Sequence, residues 1–143
     1  MTEVAFHFNA PDKLAYACRL LRKASSAGAR VAVTAEAELL QKLDTALWTF
    51  SALDFVAHAS DKQGVAMLEA SPVVLLASAL DAPHQQVLLN LGETVPEGFE
   101  RFERLIEVVS LDEADRLRAR DRWKHYAARG YAIERKDLVL KEA

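Results

Sequence analysis

The chain has 143 residues, of which 51% are hydrophobic and 27% charged, and its formal net charge is -3. That length suits one domain, able to bury roughly two-thirds of its unfolded surface. The acidic total disfavours a dedicated nucleic-acid binder, which needs a basic excess to displace counterions, and the single cysteine, Cys18, excludes an internal disulfide.

The opening residues, MTEVAFHFNA, lack the basic start and apolar stretch of a secretory signal. No apolar run approaches the roughly 18–20 residues that span a bilayer. A cytoplasmic protein is expected. Within that opening, residues 4–8 (VAFHF) alternate apolar and polar and predict a first strand. Asn9 is the expected N-cap of a helix over 12–26, with Pro11 just inside its start. Leu14, Ala17, Cys18, Leu21 and Ala24 form one apolar stripe along it, and Gly28 is its expected stop. Residues 31–34 (VAVT) predict a buried strand. A second helix over 36–48 turns Leu39, Leu40, Leu43 and Leu47 inward.

The segment 49–70 is irregular, with Phe50, Leu53, Phe55 and Val56 before a polar loop at 61–64. Strands are expected at 73–77 and 87–91, a short helix at 97–104, and a last strand at 105–110. Ser110 would cap the final helix, with Glu113 completing a capping box. Strands alternating with helices through short connections predict a parallel sheet with right-handed crossovers. The expected fold is therefore α/β: a single domain over 1–143 with a mostly parallel central sheet flanked by helices. It would be a Rossmann-like three-layer sandwich with a flexible tail at roughly 136–143.

Such a sheet invites a search for phosphate-binding glycines. None of the five glycines falls in GxGxxG or GxxxxGK[ST], and the turn after the first strand reads NAPDK. His7, His58, His84 and His125 are scattered, with no HExxH and no Cys/His cluster, so neither a metal nor a cofactor is expected. Cys18 lies on an apolar helix stripe, where a thiol is inert. Asp112 and Glu113 sit at a helix start and favour its dipole. No nucleophile motif appears, and an enzyme is not what these residues suggest.

Two places read as binding surfaces. The first is LRARDRWKHYAARGY (117–131) with the residue before it. At about 100° per residue, Arg116, Arg120, Trp123 and Ala127 project to one side, with Ala119 and Tyr126 beside them towards the core. Val109, at the end of the preceding strand, is placed to reach the same corner. Guanidinium forks pair with carboxylates, and an aromatic and valine floor accepts an apolar side chain, so a short acidic peptide with a hydrophobic end is the natural ligand. The competing reading makes Trp123 plain core and the arginines a solvated face neutralised by Asp112, Asp115 and Asp121. The second surface is LDTALWTF (43–50) followed by FVAH (55–58), where large apolar residues end a helix and enter a loop. It either binds something or tucks against the core.

Both surfaces fall in blocks that carry a resemblance. LDTALW (43–48), FVAH (55–58), PVVLL (72–76), VLLNLG (87–92), FERLIEVV (102–109) and RARDRWKHYAARGY (118–131) together make the chain resemble, nearly end to end, the chi subunit of the bacterial DNA polymerase III holoenzyme, a clamp-loader accessory. Ala57 departs from the proline often found at that place, and residues 61–71 replace a glycine-rich loop. The resemblance implies a non-enzymatic adaptor at the nucleoid-associated replisome that contacts DNA only indirectly. It would hold the acidic C-terminal tail of single-stranded DNA-binding protein, which ends in proline and phenylalanine, at Val109, Arg116, Arg120 and Trp123. It would bind a psi-like partner subunit at Trp48, Phe55 and Val56. The alternatives are a nucleotide-binding α/β enzyme, disfavoured by the missing glycine loop, and direct binding of single-stranded DNA by Arg118, Arg122, Lys124 and Trp123.

Overall fold

A computed structural model describes residues 1–49, 56–60 and 63–138. Its elements run β1 (Glu3–Ala10), α1 (Lys13–Ser26), β2 (Val31–Thr34), α2 (Ala37–Thr49), β3 (His58–Ser60), α3 (Val65–Ala70), β4 (Val73–Leu76), β5 (Val87–Asn90), β6 (Arg104–Ser110), α4 (Glu113–Ala128) and β7 (Ile133–Asp137). The strands form one seven-stranded sheet in the order β3-β4-β2-β5-β6-β1-β7. Every pairing is parallel, so the expected α/β three-layer architecture holds, with a sheet that is wholly rather than mostly parallel.

The central strands β2, β4 and β5 read VAVT, VVLL and VLLN because both of their faces are covered, which removes the polar alternation of a half-exposed strand. On one face, Ala17, Cys18 and Leu21 of α1 and Leu43 and Leu47 of α2 pack against Val31, Val33, Leu75 and Leu89. On the other, Leu68 of α3 and Ala119 and Tyr126 of α4 pack against Val4, Phe6, Leu88 and Leu105.

Helix α1 is capped by Asp12, whose carboxylate accepts from the Ala15 amide at 3.0 Å. Asn9 is therefore not the cap. It takes a left-handed φ of 66° where the β1–β6 register shifts, and its amide donates to Asp137 Oδ1 at 3.0 Å. A carboxylate three residues before Ala15 can reach an orphan amide, whereas Asn9 is spent on fastening the end of β1 to β7. Gly28 does end α1: at φ +82° it lets the Ala29 amide reach the Ala24 carbonyl and its own amide reach that of Ser25, a Schellman closure.

Other expectations shift. The cap of α4 is Asp112, which accepts from the Asp115 amide, and Ser110 instead donates to the Asp115 carboxylate. The short helix expected at 97–104 shrinks to a single 3₁₀ turn, Phe99–Arg101, because Phe99 and Phe102 turn into the core and β6 begins at Arg104. The segment read as irregular holds β3 and α3. Lys136 and Asp137, expected in a loose tail, pair with His7 and Phe8 in β7. Residues 139–143 lie outside the described residues.

Candidate functional site: a basic, aromatic cavity beside the last helix

Helix α4 is fixed at both ends and along one side. At its start, Asp115 accepts from the Ser110 amide at 2.8 Å, the Ser110 hydroxyl at 2.9 Å and Lys13 Nζ at 3.2 Å. Burial alone would raise the Asp115 carboxyl, but these donors and the Lys13 charge hold it below the usual aspartate range. Along its inner side, Arg122 is 2% exposed and donates from Nε to Glu107 Oε1 at 3.0 Å. Glu107, fully buried on β6, also accepts from the Tyr126 hydroxyl at 2.6 Å and the Asn90 amide at 3.0 Å. Burial pushes the Glu107 carboxyl up, while the Arg122 charge and the donors oppose it. At its end, Gly130 at φ +82° closes a second Schellman turn, the Tyr131 amide reaching the Tyr126 carbonyl, and the chain enters β7.

This anchoring decides what the flank of α4 presents. Arg116, Arg120 and Trp123 line a cavity of about 420 Å³ together with Val109 from the end of β6. All four residues expected at the binding corner thus meet in one place. Val109 is buried, Trp123 half-buried, and both arginines exposed. Among the described residues neither Arg116 nor Arg120 has an acidic partner: Asp112 caps the helix and Asp115 is taken by Lys13. The reading of arginines neutralised by their own helix does not hold for these two. Ala127, expected on the same side, is exposed and does not line the cavity.

Four further residues complete the lining: Ala119 of α4, Phe6 and Phe8 of β1, and Arg135 of β7. Phe6 packs on Trp123 with ring centroids 5.0 Å apart. The alternation in VAFHF already put Phe6 and Phe8 on one strand face. Arg135 carried no sequence signal, because its strand reads IERKD.

Arg122, expected among exposed cations for direct DNA contact, is instead an internal residue in an ion pair. Arg118 reaches Glu93 at 3.3 Å. The four residues proposed to meet single-stranded DNA therefore do not form one exposed basic face.

At the second surface Trp48 is 59% exposed at the end of α2. Its ring stands edge-on to His58 at 5.4 Å, and His58 Nε2 lies 2.8 Å from Asp44 Oδ1 while Nδ1 lies 2.8 Å from the Val56 carbonyl oxygen. Val56 itself, expected on that surface, is 2% exposed and belongs to the core on the α1–α2 face, so it supports the surface from beneath. Phe55 and Phe50 lie outside the described residues. Among the described residues no three His, Cys, Asp or Glu side chains converge as a metal site.

Residues 1–134 match the family described as DNA polymerase III chi subunit, HolC. The chain is similar to the DNA polymerase III subunit chi of Pseudomonas aeruginosa, 30% identical over 139 residues that cover 94% of this chain and 95% of that protein. It is also similar to the DNA polymerase III subunit chi of Haemophilus influenzae, 24% identical over 124 residues and 85% of each chain.

Proposed function

This chain belongs to the DNA polymerase III chi subunit family, and from that premise we propose that it is a non-catalytic adaptor of the clamp-loader assembly. Its cavity beside α4 holds the acidic, phenylalanine-ended tail of single-stranded DNA-binding protein. The observation that carries this reading is the convergence, on an aromatic and valine floor, of two guanidinium groups that have no acidic partner among the described residues. A terminal phenyl ring has apolar walls to enter at Val109, Ala119 and Trp123. The carboxylates of the tail meet Arg116 and Arg120 at the rim, where charge-assisted, bidentate contact is available. The Trp48 surface takes the second partner, a psi-like subunit, and an exposed indole steadied by His58 is the type of side chain that anchors such an interface.

A labelled peptide of the tail's last ten or so residues, titrated by fluorescence anisotropy, tests the first contact. Saturable binding near a micromolar Kd, or about -8 kcal/mol, is expected, weakening with salt and falling at least about tenfold in Arg120→Ala. No binding by a well-folded wild type would refute the reading. Modest affinity suits a tether, since several tails on one oligomer multiply a weak contact. Trp48→Ala should leave peptide binding and stability unchanged and abolish co-purification with the partner subunit.

A further inference from the structure

We infer that Arg135, carried by the edge strand β7, is a third anion-binding group of the cavity, so that an acidic ligand is gripped from the strand as well as from the helix. This rests on the tail-binding reading above and extends it to a residue outside the helix that suggested it. In the parallel β1–β7 pair Arg135 stands in register with Phe6, whose ring packs under Trp123, so Arg135 shares the face that α4 covers. Its guanidinium carbon lies 5.1 Å from the Phe8 ring centre and 5.7 Å from that of Trp123. The planar group is thereby laid on the aromatic floor of the cavity rather than left to sweep through solvent.

The acids beside it are committed elsewhere. Glu134 belongs to the opposite face of β7 and lies 3.9 Å from Arg104, and Asp137 accepts from Asn9. The lining consequently holds three guanidinium groups and no carboxylate. Three like charges around one apolar cavity repel one another, in a protein whose total charge is -3. A ligand bearing several carboxylates relieves that repulsion, and one bearing a single carboxylate does so only in part. The structure thus favours a tail in which acidic side chains add to the terminal carboxylate.

A competing account needs no ligand: an inward-turned charge on an edge strand blocks edge-to-edge pairing, and the guanidinium merely covers Trp123. Two neutral variants at this exposed position, R135M and R135Q, separate the accounts when compared with R135K and R120A in the peptide titration at low and moderate salt. The expected result is about three- to tenfold weaker binding in both neutral variants, with a flatter salt dependence, and substantial rescue in R135K. Wild-type affinity and salt dependence in R135M and R135Q, with binding lost in R120A, would remove Arg135 from the site and leave the tail reading standing. Equal loss in R135K and R135M with an unchanged salt dependence would reduce Arg135 to a stacking cover and overturn its anion-binding role. A wild type that binds no peptide would overturn both proposals.

Discussion

Arg122→Met should damage this protein more than any other arginine substitution in α4. The side chain is 2% exposed and its Nε–Oε1 contact to the fully buried Glu107 is 3.0 Å. Methionine keeps much of the volume but strands a carboxylate in the core, with Tyr126 and Asn90 as its remaining donors. Breaking a buried pair in this way costs about 3–5 kcal/mol, against a total of about 5–15 kcal/mol for a domain. The pH dependence gives the cause away. Without the Arg122 charge the Glu107 carboxyl, already raised by burial, rises further, so the folded variant holds a proton that the unfolded chain has released. Its penalty is therefore smallest near and below the ordinary glutamate value of about 4.3 and grows as pH rises towards the folded value. Urea unfolding of wild type and variant from pH 5 to 8, followed by circular dichroism, measures this directly. Glu107→Gln in the Arg122→Met background should recover part of the loss and flatten the slope. A cost below about 1 kcal/mol at pH 7, or one that does not change with pH, would refute the role of Arg122 as the charge partner of the buried Glu107.

The other two stability predictions occupy separate pH windows. Asp115→Asn removes the acceptor shared by Ser110 and Lys13 and should cost about 1–3 kcal/mol at pH 7. Because the folded Asp115 carboxyl is held low, that advantage of the wild type is fully present above the ordinary value of about 3.9. It disappears as pH falls through the folded value, and a cost that persists unchanged at pH 2 would contradict it. His84 is buried with neither ring nitrogen partnered among the described residues, and burial together with Arg30 lowers its pKa from 6.5 to about 4. The unfolded chain then binds the extra proton between those values, so wild-type stability should fall on acidification from pH 6.5 to 4 by up to about 1.4 kcal/mol per pH unit. His84→Leu should remove that slope in denaturant titrations, and an identical slope in the variant would clear His84 of the effect.

The parts of the fold that were legible in the sequence are those where burial imposes a pattern. Strands β2, β4 and β5 are unbroken apolar runs, and α1 and α2 carry apolar stripes, because each meets a packed neighbour. The parts that escaped lack that constraint. Strand β3 has three residues, α3 has six and leaves Val65 and Met67 exposed, and β7 is an edge strand whose IERKD has one apolar residue. Losing β7 hid Arg135. Periodicity assigned Arg116, Arg120 and Trp123 to one flank correctly, since it needs only the helix itself. It could not separate Arg122 from its exposed neighbours, since the partner that draws Arg122 inward, Glu107, lies on another element.

That sorting of arginines is the strongest argument that the cavity exists for a ligand. Within one stretch Arg122 neutralises a buried acid, Arg118 reaches Glu93, and Arg129 donates to the carbonyl of His125 in the last turn of α4, where a cation favours the dipole. Each has a local stabilising task. Arg116 and Arg120 break the rules their neighbours obey. Arg116 is the fourth residue of α4, near the positive end of its dipole, and it stands one turn from Arg120, a like-charge spacing that weakens a helix. The third cation of the cavity, Arg135, sits on an edge strand and adds to their repulsion. Substituting Arg116 or Arg120 by a neutral residue should therefore leave the fold as stable or slightly more stable while weakening binding of the proposed acidic tail. Positions at which stability and binding pull in opposite directions mark a site rather than a scaffold.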